Sequence, residues 1–233
     1  MRATILAIET ATSCCSVSLS HEGQISDRSK VGNNVHSQVV LGMVQDLLQA
    51  AKLSVDDLAA VAVGQGPGSF TGLRIGVGVA QGIAYGAACP MIGVSSLDAL
   101  AVRAPKDGIV LAGIDARMGE VYWAEYTKHE EGIERLSELQ VTAPDAILSS
   151  VLSASASKPI QLVGNAWLEY KDQLTPELSS LTPVKQAEFP SASALVLLAR
   201  QSFENGEVIS ALEFAPEYVR NCLLYTSPSP RDS

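Results

Sequence analysis

Histidine is scarce in this chain of 233 residues, which holds only His21, His36 and His129. A helical metal pair would need a second histidine four residues after His36, and Val40 stands there. Cysteine is nearly as sparse. The four residues are Cys14, Cys15, Cys89 and Cys222, with no CxxC spacing. Neighbours such as Cys14 and Cys15 point to opposite faces of a strand, so neither a thiolate metal site nor a disulfide is expected, and the usage fits a reducing cytoplasm. Clustered basic residues are missing too. The net charge is −9, from 16 Lys and Arg against 25 Asp and Glu, which makes the chain a poor candidate for gripping nucleic-acid phosphates alone. The N-terminal MRATILAIET lacks the long apolar core of a signal peptide. Residues 75–94 carry no charge, but five glycines lie in that run and Pro90 interrupts it. It reads as a helix followed by a strand, not as a membrane span.

Apolar residues make up 47% of the chain, enough for a substantial core. Residues 4–9 and 14–20 read as strands joined by a short polar hairpin, and 24–31 as a third strand. Asn33-Asn34 offers an N-cap to an amphipathic helix over 34–51, where Val35, Val39, Met43 and Leu47 recur every four residues. A capping-box signal at Ser54 opens a short helix. A buried strand at 59–64, a helix at about 69–87, a strand at 91–95 and a short helix at 95–104 follow. After Pro105-Lys106-Asp107-Gly108 the pattern restarts. Strands at 109–116 and 120–126 share a tight turn, 133–141 reads as a third strand, Pro144 opens a helix over 144–152, 159–164 is a strand and 191–204 a helix. The pattern thus occurs twice, which implies an α/β protein of two related domains, 1–104 and 105–221.

The stretch GQGPGSFTGLRIGVGVAQGIAYG (64–86) looks like a phosphate loop and fails each test for one. It contains no lysine, so it is no Walker A loop. Ser69 stands at the third glycine position of the dinucleotide fingerprint, and Pro67 and Thr71 displace the glycines of a nucleophile elbow. What remains is a glycine-rich turn at Gly66 and Gly68, with Ser69 or Thr71 capping a helix whose free N–H groups attract anions. Glu9 and Thr10, at the end of the first strand, are further candidates for such a phosphate site. The alternatives for these residues are a plain sharp turn and local hydroxyl-to-backbone bonds. His36 is expected to be solvated or to cap its helix. Within the helix, Gly72, Gly76, Ala80 and Ala84 form one small-residue ridge, and Gly78, Gly82 and Gly86 form another. Each interior glycine costs about 0.5–1 kcal/mol against alanine, a loss that close packing must offset.

Four blocks, "ILAIETAT", "GQGPGSFTGLRIG", "GVSSLDALA" and "DARMGEVYWAEY", together resemble the TsaB (YeaZ) family from about residue 3 to about residue 221. The resemblance implies a two-domain actin/Hsp70/sugar-kinase-like (ASKHA) fold, each domain a mixed sheet with flanking helices. It implies a non-catalytic subunit that binds the catalytic paralogue TsaD, together with the ATPase TsaE. That complex transfers threonylcarbamoyl to the adenosine beside the anticodon in tRNAs that read codons beginning with A. On this reading the chain has no cofactor of its own, ATP is used by the complex, tRNA is reached only through the complex, no membrane is involved, and the chain alone forms a homodimer. The catalytic paralogues carry a helical histidine pair that binds metal, and here that register is His36 and Val40, so no metal site is expected. The family's partner contact uses the first two helices, which here falls on Val39, Met43, Leu47, Gly72, Gly76 and Ala80. A vestigial phosphate site falls on Glu9, Thr10, Gly66, Gly68, Ser69 and Thr71. The chain departs from the family after PEYVRN, where CLLYTSPSPRDS replaces a lysine-containing apolar end; residues 222–233 are expected to be disordered and non-native. The rivals are an ATP-dependent phosphotransferase and a metallopeptidase-like enzyme of the same superfold.

Overall fold

The computed structural model describes residues 3–147 and 159–217. Strands β1 (Ile5–Glu9), β2 (Cys14–His21) and β3 (Gln24–Val31) form an antiparallel meander. Helix α1 (His36–Ala51) then crosses to β4 (Ala60–Gly66), which runs parallel to β1, and α2 (Phe70–Gly86) crosses to the parallel β5 (Met91–Ser95). The resulting sheet has the order β3-β2-β1-β4-β5. β1 lies at its centre and is buried on both faces, which is why its sequence is continuously apolar and not alternating. Leu6 and Ile8 pack into the core beneath α1 and α2, and Ile5 and Ala7 into the core on the opposite face. Each such side chain contributes about 1.5–3 kcal/mol on burial.

The second sheet repeats the plan. Strands β6 (Gly108–Arg117) and β7 (Glu120–His129) are antiparallel, and β8 (Gly132–Arg135) adds to the outer edge of β7. β10 (Ile160–Val163) runs parallel to β6, as β4 does to β1, giving the order β10-β6-β7-β8. Helix α3 (Ser96–Ala101) joins the two units and sends Leu97 and Leu100 into the core of the second sheet. Short helices α4 (Ala166–Glu169) and α5 (Pro176–Ser179) cover that sheet, with Trp167 and Leu178 fully buried. Helix α6 (Ala192–Glu204) then returns to the first sheet, where Leu195, Val196 and Ala199 pack against Ile5, Ala7 and Ala62.

Two expectations need correction, and a third is described only in its first turn. The Asn33-Asn34 pair does not cap α1. Val35 holds the N-cap position with no side-chain bond, and Asn34 adopts a left-handed φ of 57° that turns the chain into the helix. The expected strand over 133–141 is two pieces, β8 and β9 (Gln140–Thr142), both paired to β7. Pairs Tyr126↔Arg135 and Trp123↔Gln140 leave two residues between them on β7 and four on the facing chain, a bulge of two residues. Ser137 fills the gap by accepting the Glu125 N–H at 3.0 Å. The helix expected over 144–152 begins as a single 3-10 turn, Pro144–Ala146; its remainder, like the 222–233 tail, lies outside the described residues. The Ser54 capping box is present, with the Asp57 carboxylate accepting from the Ser54 N–H at 2.8 Å and Oγ at 3.0 Å.

Candidate functional site

Two surfaces collect the candidate residues. The first is the face of α1 and α2 turned away from the sheet. α2 begins where β4 ends, and Ser69 caps it by accepting the Gly72 N–H at 3.3 Å. Its two small-residue ridges have opposite fates. Gly72, Gly76 and Ala80 face inward. A Cβ on Gly72 would meet the Thr10 carbonyl oxygen at 2.2 Å, one on Gly76 would meet Thr10 Oγ1 at 2.2 Å, and Ala80 is fully buried. The Thr10 hydroxyl also donates to the Gly72 carbonyl at 2.8 Å, which locks α2 onto the end of β1. Gly78, Gly82 and Gly86 face outward, with nothing among the described residues within 4 Å of a built Cβ, and Gly42 on α1 is equally open.

The surface implied by resemblance is therefore corrected in its membership. Leu47, Gly76 and Ala80 belong to the chain's own core, and Gly72 packs on Thr10 and borders only the cavity between the sheets, so none of the four lies on the outer face of the helices. Val39 and Met43 are half-buried and reach the surface, as do Ile75, Val79 and Ile83 of α2. Leu41 and Tyr85 are 59% and 68% exposed. This face is almost without charge: α1 contains one charged residue, Asp46, and α2 one, Arg74. That the outer ridge and not the inner one faces away from the core was not legible in the sequence, because periodicity gives spacing and not direction.

The second surface is a cavity of ≈350 Å³ between the two sheets. Its first wall is the β1–β2 hairpin with the start of α2, including Thr12, Ser13, Gly68, Ser69 and Thr71; its second is the β6–β7 hairpin, with Asp115 and Arg117, together with Asn165. The Asp115 carboxylate accepts from the Tyr170 hydroxyl at 2.7 Å and the Arg117 N–H at 2.8 Å, and it pairs with the Arg117 guanidinium at 3.1 Å. Burial first, and then that carboxylate, push the Tyr170 hydroxyl up to about 12. Arg117 and Met118 both hold left-handed φ values, 61° and 57°, at the tip of this hairpin.

The structure divides the phosphate candidates. Gly68, Ser69 and Thr71 line the cavity, whereas Glu9, Thr10 and Gly66 do not. Glu9 is fully buried behind the cavity floor, where its carboxylate accepts from the Ala11 N–H at 2.7 Å and the Ser96 hydroxyl at 2.9 Å. Gly64 beside it leaves no room for a Cβ, which would lie 2.3 Å from Glu9 Oε2. His36 is likewise not solvated. Its ring is buried and Nε2 lies 2.8 Å from the Thr12 carbonyl, which can only accept, so Nε2 carries the proton. Among the described residues no group of three His, Cys, Asp or Glu side chains is placed to hold a metal ion, and no helix is long and apolar enough to cross a membrane.

Glu9 gives a pH prediction. Burial raises its pKa above the ordinary carboxylate value, and the bonds from Ala11 and Ser96 only partly oppose that. A carboxyl whose folded pKa is raised stabilises fully below its unfolded pKa, and that contribution is lost as pH rises through the folded value. Glu9→Gln keeps the shape and stays neutral. Its melting temperature relative to wild type is expected to rise from pH 4.5 towards pH 8. A difference that does not change with pH would show that Glu9 does not titrate in this manner.

Comparison with known proteins agrees with this architecture. A family model described as "TsaD: tRNA N6-adenosine threonylcarbamoyltransferase" matches residues 30–220. The tRNA threonylcarbamoyladenosine biosynthesis protein TsaB of Escherichia coli K12 is 41% identical over 93% of this chain and 94% of its own length. The protein of the same name from Haemophilus influenzae is 33% identical over 94% of each chain. The structure of YeaZ from Pseudomonas aeruginosa superposes with a TM-score of 0.82 at 34% identity, covering 93% of this chain and all of its own. The fold is thus the two-domain actin/sugar-kinase-like one, and with a curated relative 41% identical across nearly the whole length, the chain belongs to the TsaB (YeaZ) family.

Proposed function

We propose that this chain is an accessory, non-catalytic subunit in the biosynthesis of tRNA threonylcarbamoyladenosine. Its relatives in Escherichia coli and Haemophilus influenzae carry that pathway in their names. In this reading the outward face of α1 and α2 docks against a TsaD-family catalytic subunit, and TsaE completes the complex. The same face pairs with a second copy when the chain is alone. The chain holds no cofactor of its own; ATP is used and tRNA is bound by the assembled complex, in the cytoplasm.

The observation that carries the docking role is the open glycine ridge. Gly78, Gly82 and Gly86 sit on the exposed side of a regular helix, and each costs up to about 1 kcal/mol in helix propensity against alanine. The inner ridge recovers such a cost against Thr10; the outer one has no neighbour among the described residues to recover it from. Glycines at four-residue spacing allow another helix to approach closely. The near absence of charge on α1 and α2, in a chain that is 18% charged, matches the depletion of charge at interface cores.

The non-catalytic role is supported by the fate of the acid and the imidazole nearest the cavity. Glu9 is turned into the interior and bonded there to Ala11 and Ser96, so it is withdrawn from the cavity; His36 borders the cavity, but no carboxylate of the described residues is bonded to it. The cavity wall at Gly68, Ser69 and Thr71 is in this reading a vestige of a phosphate site. The test is reconstitution with the TsaD- and TsaE-family subunits, tRNA and a source of threonylcarbamoyl. Omitting this chain is expected to reduce modification by at least an order of magnitude, and this chain alone is expected to form none. Modified nucleoside formed by the chain alone, or full activity without it, would overturn the reading.

A further inference from the structure

The docking face of α2 has two sides, and only one is bounded by α1. On a helical projection at 100° per residue, Gly78, Gly82 and Gly86 are flanked by Ile75 and Val79 on one side. On the other stand Arg74, Gln81 and Tyr85. Gln81 does not face solvent freely. Its Nε2 donates to the carbonyls of Ala211 at 2.9 Å and Phe214 at 3.0 Å, so the segment that follows α6 is fastened along this side of the helix.

That segment is anchored along its length. Ile209 exchanges both backbone bonds with Met91 at the edge of the first sheet, at 2.9 and 3.0 Å. Ala211 and Phe214 are buried in the core beneath α1 and α2, and the Glu217 N–H donates to the Gln65 carbonyl at 2.9 Å. Between the two buried anchors the chain turns Leu212 outward, 79% exposed, one residue from the carbonyl that Gln81 grips. Tyr85, 68% exposed, lies one helical turn beyond Gln81. An exposed leucine held between two anchors, on the side of α2 that also carries the exposed Tyr85, gives that side of the glycine ridge an apolar rim.

We propose that this strap, residues 208–217, is the second wall of the partner site. A helix of the TsaD-family subunit then lies on the glycines of α2, between α1 on one side and Tyr85 with Leu212 on the other. The inference rests on the docking reading above and adds a third element to it. Continuity favours that addition: Gln81 of α2 fastens the strap directly beside the glycine ridge, so a helix seated on that ridge meets the strap as well. The occupant follows from the family match. The TsaD model covers residues 30–220, including both helices and the whole strap, so a TsaD-family partner carries counterparts of α1 and α2 with which this face can pair about a quasi-twofold axis.

The test is titration of the purified TsaD-family subunit with the full chain and three variants. Leu212→Glu and Tyr85→Glu place a charge on the strap wall at well-exposed positions, and Gly82→Leu fills the glycine ridge. Leu212→Glu and Tyr85→Glu are each expected to weaken association about tenfold or more, as interface anchors do, with melting temperatures near wild type. If both bind like wild type while Gly82→Leu does not, the strap is no wall of the site and the docking reading stands without it. If Gly82→Leu binds like wild type, the glycine ridge is not occupied, and both the strap proposal and the docking reading fail.

Discussion

Gly82→Leu is expected to weaken association with the TsaD-family subunit by about 10- to 100-fold while leaving the isolated chain at least as stable as wild type. The two halves of this expectation have separate physical origins. In the isolated chain a Cβ at residue 82 meets nothing within 4 Å, so leucine brings no clash. It also removes the helix-propensity penalty of glycine, about 0.8–1.0 kcal/mol relative to the best helix formers. In the complex the same side chain stands where another helix must approach to within about 8–10 Å between axes. Overpacking a fitted contact costs about 1–3 kcal/mol, which sets the expected loss of affinity. Thermal melting of the isolated variant, at a concentration low enough to keep it and the wild type monomeric, and co-purification with the partner measure the two effects independently. A variant that loses stability and binding together would mean that residue 82 is buried within the chain, contrary to the geometry described.

This pairing of opposite effects could not have been designed from the sequence. The four-residue spacing of small residues in α2 shows that two ridges exist. It does not show that Thr10, 62 positions earlier in the chain, presses against one of them. The resemblance assigned Gly72, Gly76 and Ala80 to the partner, when these are the residues on which β1 and its hairpin rest. The reverse holds for β1, β2, β4 and α1. Their burial is written into apolar runs in β1 and β4, an alternation in β2 and a four-residue apolar period in α1, and their boundaries fell within two residues of expectation.

The second sheet was less legible because its elements depend on distant partners. The split between β8 and β9 is fixed by where Ser137 meets Glu125 across the sheet. Short helices α4 and α5 have too few residues to show a period, and they exist because Trp167 and Leu178 find a pocket against that sheet. The strap carries no periodic signal at all. It is held by three backbone carbonyls and one bridge to Met91, contacts to which side-chain patterning is blind. Of the phosphate candidates, Gly68, Ser69 and Thr71 reach the cavity because they belong to the turn that starts α2. Glu9 does not, because strand alternation at the end of β1 aims it at Ser96 and Gly64.

The sharpest consequence of the two-ridge arrangement is a change of sign within one helix. Gly78→Ala is expected to stabilise the isolated chain by about 0.5–1 kcal/mol, because its Cβ enters open space and the unfolded chain loses freedom. Gly72→Ala, six residues earlier, is expected to destabilise it by about 1–3 kcal/mol. There the added Cβ would sit 2.2 Å from the Thr10 carbonyl oxygen, a backbone atom that no rotamer change can move. The start of α2 must retreat from β1, and the bond from the Thr10 hydroxyl to the Gly72 carbonyl weakens as it does so. Neighbouring positions suffer the same displacement, since a Cβ on Gly68 would meet the Ala11 carbonyl oxygen at 2.3 Å. For a chain of this size each kcal/mol moves the melting temperature by about 2–4 °C, so the two alanine variants should bracket wild type by a margin that calorimetry resolves. Gly72 lies in the first turn and gains no more helix propensity than the interior Gly78, so a loss of stability at Gly72 reports the contact with Thr10. Equal melting temperatures would mean that α2 can rotate or shift freely over β1. In that case the outward direction of Gly78 and Gly82, and the docking face built on it, would have no fixed basis.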